Sequence, residues 1–135
     1  MLLCYPVITS GPCAHAESII NLLGPEHAAD PRLRSLVSLE QSVSADTPPV
    51  FLWHTWEDAT VPAENSLLLA QALKAAGVSL ELHIYPRGCH GLSLANSEVS
   101  GPGKDCVEPR CQDWINLARA WIADFPYAPV CQPRS

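Results

Sequence analysis

The sequence predicts an α/β fold that is built on a parallel sheet. Two apolar runs, at residues 2–8 and 50–55, have the composition of strands that are buried on both faces. A third run, at residues 78–85, alternates between apolar and polar side chains, as a half-buried strand near a sheet edge does. Helical patterns separate the later runs, and strands that alternate with helices are typical of parallel sheets with helical crossovers.

The first strand is predicted from the apolar run at residues 2–8, in which Pro6 lies near the end. A strand that is buried on both faces should have a parallel neighbour on each side, yet nothing precedes this run, so we expect one neighbour to be missing. The segment that follows is mixed in character. Short helices are predicted at residues 18–23 and 31–39.

The second half of the chain has clearer patterns. A buried strand is predicted at residues 50–55, and His54 within it is expected to be a core histidine with its hydrogen bonds satisfied. Leucine and alanine recur at helical spacing over residues 64–76, which predicts a crossover helix. An amphipathic closing helix is predicted at residues 114–125, and residues 126–135 are predicted to be an irregular tail.

Composition and charge narrow the class of protein. Hydrophobic residues make up 47% of the chain and charged residues 16%, which is typical of a globular domain, predicted here at residues 1–125. The net charge of -6 and the absence of a basic cluster argue against a nucleic-acid partner. No apolar run reaches the roughly 18 residues of a membrane helix, and the first residues make a poor signal peptide. We therefore expect a cytoplasmic protein with no membrane partner.

The six cysteines allow several chemical states. Cys4 and Cys89 lie in or beside apolar segments, where a free thiol behaves as a small hydrophobic side chain. Cys106, Cys111 and Cys131 lie toward the C-terminus and could form a disulfide in an oxidising compartment. The closest pair has four residues between its members, which is a weak match to a zinc site. We expect reduced thiols, with neither a metal nor a cofactor.

Asp58 and His90 are the candidate catalytic pair. Asp58 follows the second predicted strand and His90 follows the third, with one helix between them. Such a unit places both following loops at the carboxyl edge of the sheet, where open α/β sheets bind ligands. A carboxylate that binds one imidazole nitrogen leaves the other nitrogen free to accept a proton, as in a Ser-His-Asp triad. The alternative is that Asp58 only caps a turn and that His90 only occupies a tight loop.

The nucleophile of such a triad has no clear candidate in the sequence. None of the serines before Asp58 stands in a G-x-S-x-G elbow, and Ser10 has Ile8 and Pro12 where that motif has its glycines. Ser93, in the sequence GLSLA, follows His90 and is therefore out of the expected order. No oxyanion hole is evident either. We therefore expect the chain to be the C-terminal portion of a larger enzyme.

Several segments resemble the C-terminal portion of α/β-hydrolase esterases, namely LLCYPVITSG, NLLG, the run from DTPPVFLWHTWEDATVP to YPRGCHGLSLA, and WINLARAWI. The resemblance covers about residues 1–125 and is most specific over residues 46–95. Among these esterases, the segments resemble acetyl esterases and acetylxylan esterases, in the neighbourhood of dienelactone hydrolase and prolyl oligopeptidase. It implies the last three strands of the hydrolase sheet with their crossover helices.

The resemblance also implies roles for single residues. The family's acid lies in a D-x-x-V-P loop, which here begins at Asp58, and its histidine lies in G-x-H-G, which here contains His90. It implies hydrolysis of short acyl esters, including acetyl groups on sugars, through a serine acyl-enzyme. The long link at residues 96–111 departs from the family pattern. The alternative is a non-catalytic module that binds a partner through its exposed first strand. A missing N-terminal half, or a second copy of the chain, is the expected partner of this strand in the fragment reading.

Overall fold

Three parallel strands form the sheet of this protein in a computed structural model that describes residues 1–100 and 106–124. The strands are β1 (Leu2–Cys4), β2 (Val50–Thr55) and β3 (Leu80–Tyr85), and they lie side by side in that order. β2 is central, so that Leu52 lies opposite Leu3 on one side and Leu82 on the other. The predicted α/β class, with parallel strands and β3 at an edge, is confirmed.

Helices cover both faces of the sheet and include the crossover between β2 and β3. Their bounds are α1 (Ala16–Leu23), α2 (Pro31–Leu36), α3 (Glu64–Ala75) and α4 (Trp114–Asp124), with a 3-10 turn at Leu39–Gln41. The predicted helix at residues 31–39 is therefore two shorter pieces. Phe125, Cys131 and the tail predicted at residues 126–135 lie outside the described residues. Among those that are described, no helix is both long enough and apolar enough to cross a membrane.

The core consists of two clusters, one on each face of β2. All six residues of β2 are buried, because the strand has a neighbour on both edges and helices on both faces. Successive side chains of a strand point to opposite faces, which divides them between the clusters. One cluster, on the α3 side, contains Val50, Leu52, Leu69, Leu73 and Ile8, and the other, on the α4 side, contains Phe51, Trp53, Leu92, Ala95, Cys111 and Ala118.

β1 is shorter than the sequence predicts, and it is partly exposed. The strand ends at Cys4 because Tyr5 has a φ of 40°, which turns the chain out of the extended conformation. Leu2 is 40% exposed, since within residues 1–100 and 106–124 β1 pairs with β2 alone. The composition of this run suits burial on both faces, whereas β1 is exposed, as a first strand with one missing neighbour is expected to be.

The cysteine chemistry also differs from the expectation. A disulfide joins Cys89 to Cys106, whose Cα atoms are 6.3 Å apart, whereas Cys111 is a buried free thiol. Burial, with a smaller effect of the Glu108 charge, raises the pKa of the Cys111 thiol to about 12. The pairing follows from tertiary structure, because the Glu108 N–H donates to the Ala95 carbonyl and folds the link back over the loop that follows β3.

Candidate active site

The structure brings the side chains of Asp58 and His90 together at the carboxyl edge of the sheet. Asp58 lies in the loop after β2 and His90 in the loop after β3, and these parallel neighbours end at the same edge. The Nδ1 of His90 lies 2.7 Å from the Oδ2 of Asp58, which is a hydrogen bond. The geometry is that of an acid and a base in a triad, and the catalytic roles of the two residues stay a prediction.

Local hydrogen bonds hold the Asp58 carboxylate in a fixed orientation. Its side chain is fully buried, and its Oδ1 accepts from the backbone N–H groups of Thr60 at 3.0 Å and Val61 at 2.9 Å. These bonds form the turn that begins the D-x-x-V-P loop. Because Oδ1 is occupied by the turn, Oδ2 is the oxygen that faces His90.

Two glycines explain how the loop after β3 reaches Asp58. Gly88 has a φ of 131°, and a Cβ atom there would lie 2.6 Å from a methyl group of Leu92 and 2.9 Å from the Thr55 methyl. The Thr55 hydroxyl donates to the Gly88 carbonyl at 2.9 Å, which ties the loop to the end of β2. Gly91 has a φ of 77°, which reverses the chain directly after His90. The glycines of G-x-H-G are therefore requirements of the backbone.

The second nitrogen of His90 is available for proton transfer. When Nδ1–H donates to Asp58, Nε2 carries a lone pair, and the side chain is 30% exposed. In residues 1–100 and 106–124, the hydrogen bond of the His90 imidazole goes to Asp58. The Ser10 hydroxyl instead bonds to Ser38 and to the Arg34 carbonyl. The described part of the chain therefore presents a base together with its acid.

His54 is a third member of the site that sequence reasoning missed. It is buried and satisfied as predicted, with Nδ1 2.7 Å from the Ser66 hydroxyl and Nε2 2.9 Å from the Val61 carbonyl. Its Nε2 also lies 3.3 Å from Asp58 Oδ2, and both side chains are fully buried. Burial lowers the pKa of His54, although the Val61 carbonyl and the Asp58 charge oppose that effect. The one signal in the sequence was the spacing of four residues between His54 and Asp58.

The lowered pKa of His54 predicts that acid destabilises the fold. In the unfolded chain His54 binds a proton below its ordinary pKa of 6.5, whereas in the folded chain it resists protonation until a lower pH. The contribution of His54 to stability is therefore present above that ordinary value and is lost as the pH falls through it toward the folded pKa. We expect urea denaturation to give a smaller free energy of unfolding at about pH 5.5 than at about pH 7.5.

The matched control for this pH effect is His27→Asn, because the His27 side chain is 58% exposed. This variant should keep the acid destabilisation, whereas His54→Asn should reduce it while lowering stability at neutral pH. NMR titration of the His54 ring supplies the direct readout. A midpoint at or above its ordinary pKa would contradict the prediction.

A cavity of about 400 Å³ lies beside the loops that carry the pair. Its walls include Glu57 and Cys89, which directly neighbour Asp58 and His90 in sequence, together with Cys106 and Glu108 from the link before α4. The Cys89–Cys106 disulfide therefore forms part of its wall. The cavity offers a small ligand both charged and apolar groups, although neither Asp58 nor His90 is among its lining residues.

Comparison with known proteins places this chain among hydrolases. The model of the prolyl oligopeptidase family matches residues 25–101, which is more than half of the chain. Over 100 residues the chain is 46% identical to an endo-1,4-beta-xylanase B of Butyrivibrio fibrisolvens, and over 96 residues it is 37% identical to an acetylxylan esterase of Xylanibacter ruminicola. These matches cover 73% and 69% of this chain but 15% and 20% of those proteins.

A solved structure supports the same placement. The chain is similar to an acetyl ester-xyloside bifunctional hydrolase of Caldicellulosiruptor lactoaceticus, with a TM-score of 0.78 and 45% identity. The match covers 90% of this chain and 40% of that hydrolase. The chain thus spans less than half the length of each of these relatives.

Proposed function

Because the chain belongs to the prolyl oligopeptidase family, within the α/β-hydrolases, we propose that Asp58 and His90 are the acid and the general base of a serine esterase. The observation that carries the proposal is the 2.7 Å hydrogen bond between His90 Nδ1 and Asp58 Oδ2. The second nitrogen of the same imidazole ring, on a side chain that is 30% exposed, is the atom that such a base needs. The fully buried carboxylate behind it suits the role of the acid.

The proposed reaction is acyl transfer through a serine. His90 Nε2 takes the proton of the serine hydroxyl as its oxygen attacks the ester carbonyl carbon. Asp58 remains ionised and stabilises the imidazolium. His90 then gives the proton to the leaving alcohol oxygen as the ester bond breaks, which leaves an acyl-enzyme. A water molecule, deprotonated by the same nitrogen, releases the carboxylic acid and restores the serine.

We propose that the serine lies on a segment outside these 135 residues. The hydrogen bonds of Ser10 support this, because they hold its hydroxyl against the Arg34 carbonyl and Ser38 and away from His90. Ser93 follows His90 in the chain, and its backbone N–H donates to the Tyr5 hydroxyl. On this proposal the chain alone does not turn over esters by the triad mechanism.

The proposed substrates are short acyl esters, including acetyl groups carried on carbohydrate. The support comes from two of the similar proteins, which are an acetylxylan esterase and an acetyl ester-xyloside hydrolase. The cavity beside the pair has charged walls at Glu57 and Glu108, which suit the hydroxyl groups of a sugar.

A chimera tests the proposal. Residues 1–124 replace the matching part of the Caldicellulosiruptor lactoaceticus hydrolase, whose remainder then supplies the nucleophile. We expect this chimera to hydrolyse 4-nitrophenyl acetate and to react with a serine-directed fluorophosphonate. The 135-residue chain alone and the remainder of the hydrolase alone should do neither. A chimera that is folded by circular dichroism and gel filtration but unreactive would contradict the catalytic roles.

The placement of the serine has its own test. Turnover by the 135-residue chain alone, abolished by both His90→Ala and the fluorophosphonate, would show that the nucleophile lies within it. Turnover that survives both treatments would come from another source and would leave the proposed placement standing.

A non-catalytic module that self-associates through β1 is the second candidate. The observation that favours it is the exposure of Met1 and Leu2, at 46% and 40%, beside an apolar cavity of about 310 Å³. An exposed strand edge can pair with another strand. This alternative predicts a folded, concentration-dependent dimer by light scattering and an inactive chimera, whereas an active chimera rejects it.

A further inference from the structure

Tyr5 stands at the carboxyl end of β1 in an unusual backbone conformation. Its φ is 40°, a region that bulky residues seldom occupy, and its N–H donates to the Trp53 carbonyl at 2.8 Å. Such a conformation persists where surrounding contacts hold it, and it often marks a functional site. The position is relevant because β1, β2 and β3 end at the same edge of the sheet.

The side chain of Tyr5 contacts the proposed base directly. Its ring lies edge-on to the His90 imidazole, with the ring centres 5.1 Å apart and the planes at 74°. The Tyr5 hydroxyl accepts a hydrogen bond of 3.2 Å from the Ser93 N–H, three residues beyond His90. Tyr5 therefore joins the end of β1 both to the imidazole and to the backbone of its loop.

A rigid support lies on the other side of Tyr5. The Trp53 ring meets the Tyr5 ring edge-on, with centres 5.1 Å apart, and Trp53 is fully buried. Trp53 in turn stacks on Trp114 of α4 at 5.3 Å, and Trp114 Nε1 donates to the Ser93 carbonyl. The Tyr5 ring is thus held by the buried Trp53 on one side and by the loop that carries His90 on the other.

A second contact on the imidazole has a mechanical consequence. The hydrogen bond to Asp58 fixes Nδ1, but one bond leaves the ring able to swing about that point. An aromatic ring packed edge-on restricts the swing, because it limits the plane that the imidazole can adopt. The direction of the Nε2 lone pair depends on that plane, and a general base must be aimed at the proton that it removes.

We infer that Tyr5 is a positioning residue that sets the plane of the His90 imidazole and so aims Nε2. This inference rests on the proposed function for its catalytic consequence, whereas the restriction of the ring is a property of the chain itself. Tyr5 acts through His90 and takes no part in proton transfer.

The experiment compares Tyr5→Gly with Tyr5→Phe in the full 135-residue chain. Glycine adopts a φ of 40° readily, so Tyr5→Gly removes the ring without straining the backbone. NMR of the His90 ring reads out the exchange of its Nδ1–H with water. We expect Tyr5→Gly to speed this exchange roughly tenfold or more and Tyr5→Phe to leave it close to that of the unmodified chain.

Tyr85→Leu is the matched control, because Tyr85 meets Trp53 at 5.9 Å in the same edge-on manner and forms no ring contact with His90 among the described residues. It should leave the exchange unchanged. If Tyr5→Gly also leaves the exchange rate of the His90 Nδ1–H unchanged while its amide spectrum stays native, the inference is overturned. If Tyr5→Gly unfolds the chain, Tyr5→Leu is measured in its place against the same criterion.

In the chimera, Tyr5→Gly should lower kcat by roughly 10- to 100-fold while KM stays unchanged, and Tyr5→Phe should retain most of the rate. Measuring both proton exchange and turnover separates the positioning role of Tyr5 from the proposed esterase function. Faster exchange in an inactive chimera supports the positioning and counts against the proposed function. Unchanged exchange in an active chimera overturns the positioning and leaves the proposed function intact.

Discussion

Replacing His90 by alanine in the chimera is expected to lower kcat for 4-nitrophenyl acetate by about six orders of magnitude, to the level left by binding and the oxyanion hole. The imidazole is the group that accepts the serine proton and later protonates the leaving alcohol, so both chemical steps lose their catalyst. Truncation also removes a hydrogen bond from the fully buried Asp58 carboxylate, so we expect some loss of stability beside the loss of rate.

The measurement is the steady-state rate together with the rate of fluorophosphonate labelling, which should fall with it because the serine is no longer activated. His27→Ala is the control, since the exposed His27 lies in the turn after α1 and its imidazole pairs with the neighbouring Glu26 carboxylate. A His90→Ala chimera that keeps its labelling rate would show that another group activates the serine.

The Asp58→Asn substitution should have the second largest effect, lowering kcat by about four orders of magnitude. Asparagine keeps an oxygen for the N–H groups of Thr60 and Val61, so the turn is retained. Its amide, however, offers His90 Nδ1 a donor where the carboxylate offered an acceptor. The imidazole then favours the tautomer that carries its proton on Nε2, which cannot act as the base.

Asp58→Ala separates this tautomer effect from structural damage. Alanine leaves two backbone N–H groups without their acceptor, which costs about 1–3 kcal/mol for each group that is buried. We therefore expect Asp58→Ala to lose both activity and unfolding free energy, whereas Asp58→Asn loses activity with a much smaller change in stability. Equal activity in Asp58→Asn and the unmodified chimera would remove Asp58 from the mechanism.

Much of the architecture could be predicted from the sequence, because the signals are local. The strand at residues 50–55 is observed with the same bounds, and the crossover helix ends one residue from its prediction. The spacing of hydrophobic residues and the presence of turn-forming residues are features of a few neighbouring positions, so they can be recognised without the tertiary structure. The approach of Asp58 to His90 was also predictable, because a βαβ unit has one favoured hand and brings both loops to one edge.

What the sequence determined by itself is therefore the α/β class, the order of its main elements and the candidate acid and base. Tertiary structure alone decided the Cys89–Cys106 pairing, the early end of β1 at Cys4, and the contacts of His54 with Asp58 and of Tyr5 with His90. The physical reason is common to them. Each of these features depends on where a loop or a strand end lies relative to other segments of the folded chain. The local pattern of apolar and polar residues does not encode that position.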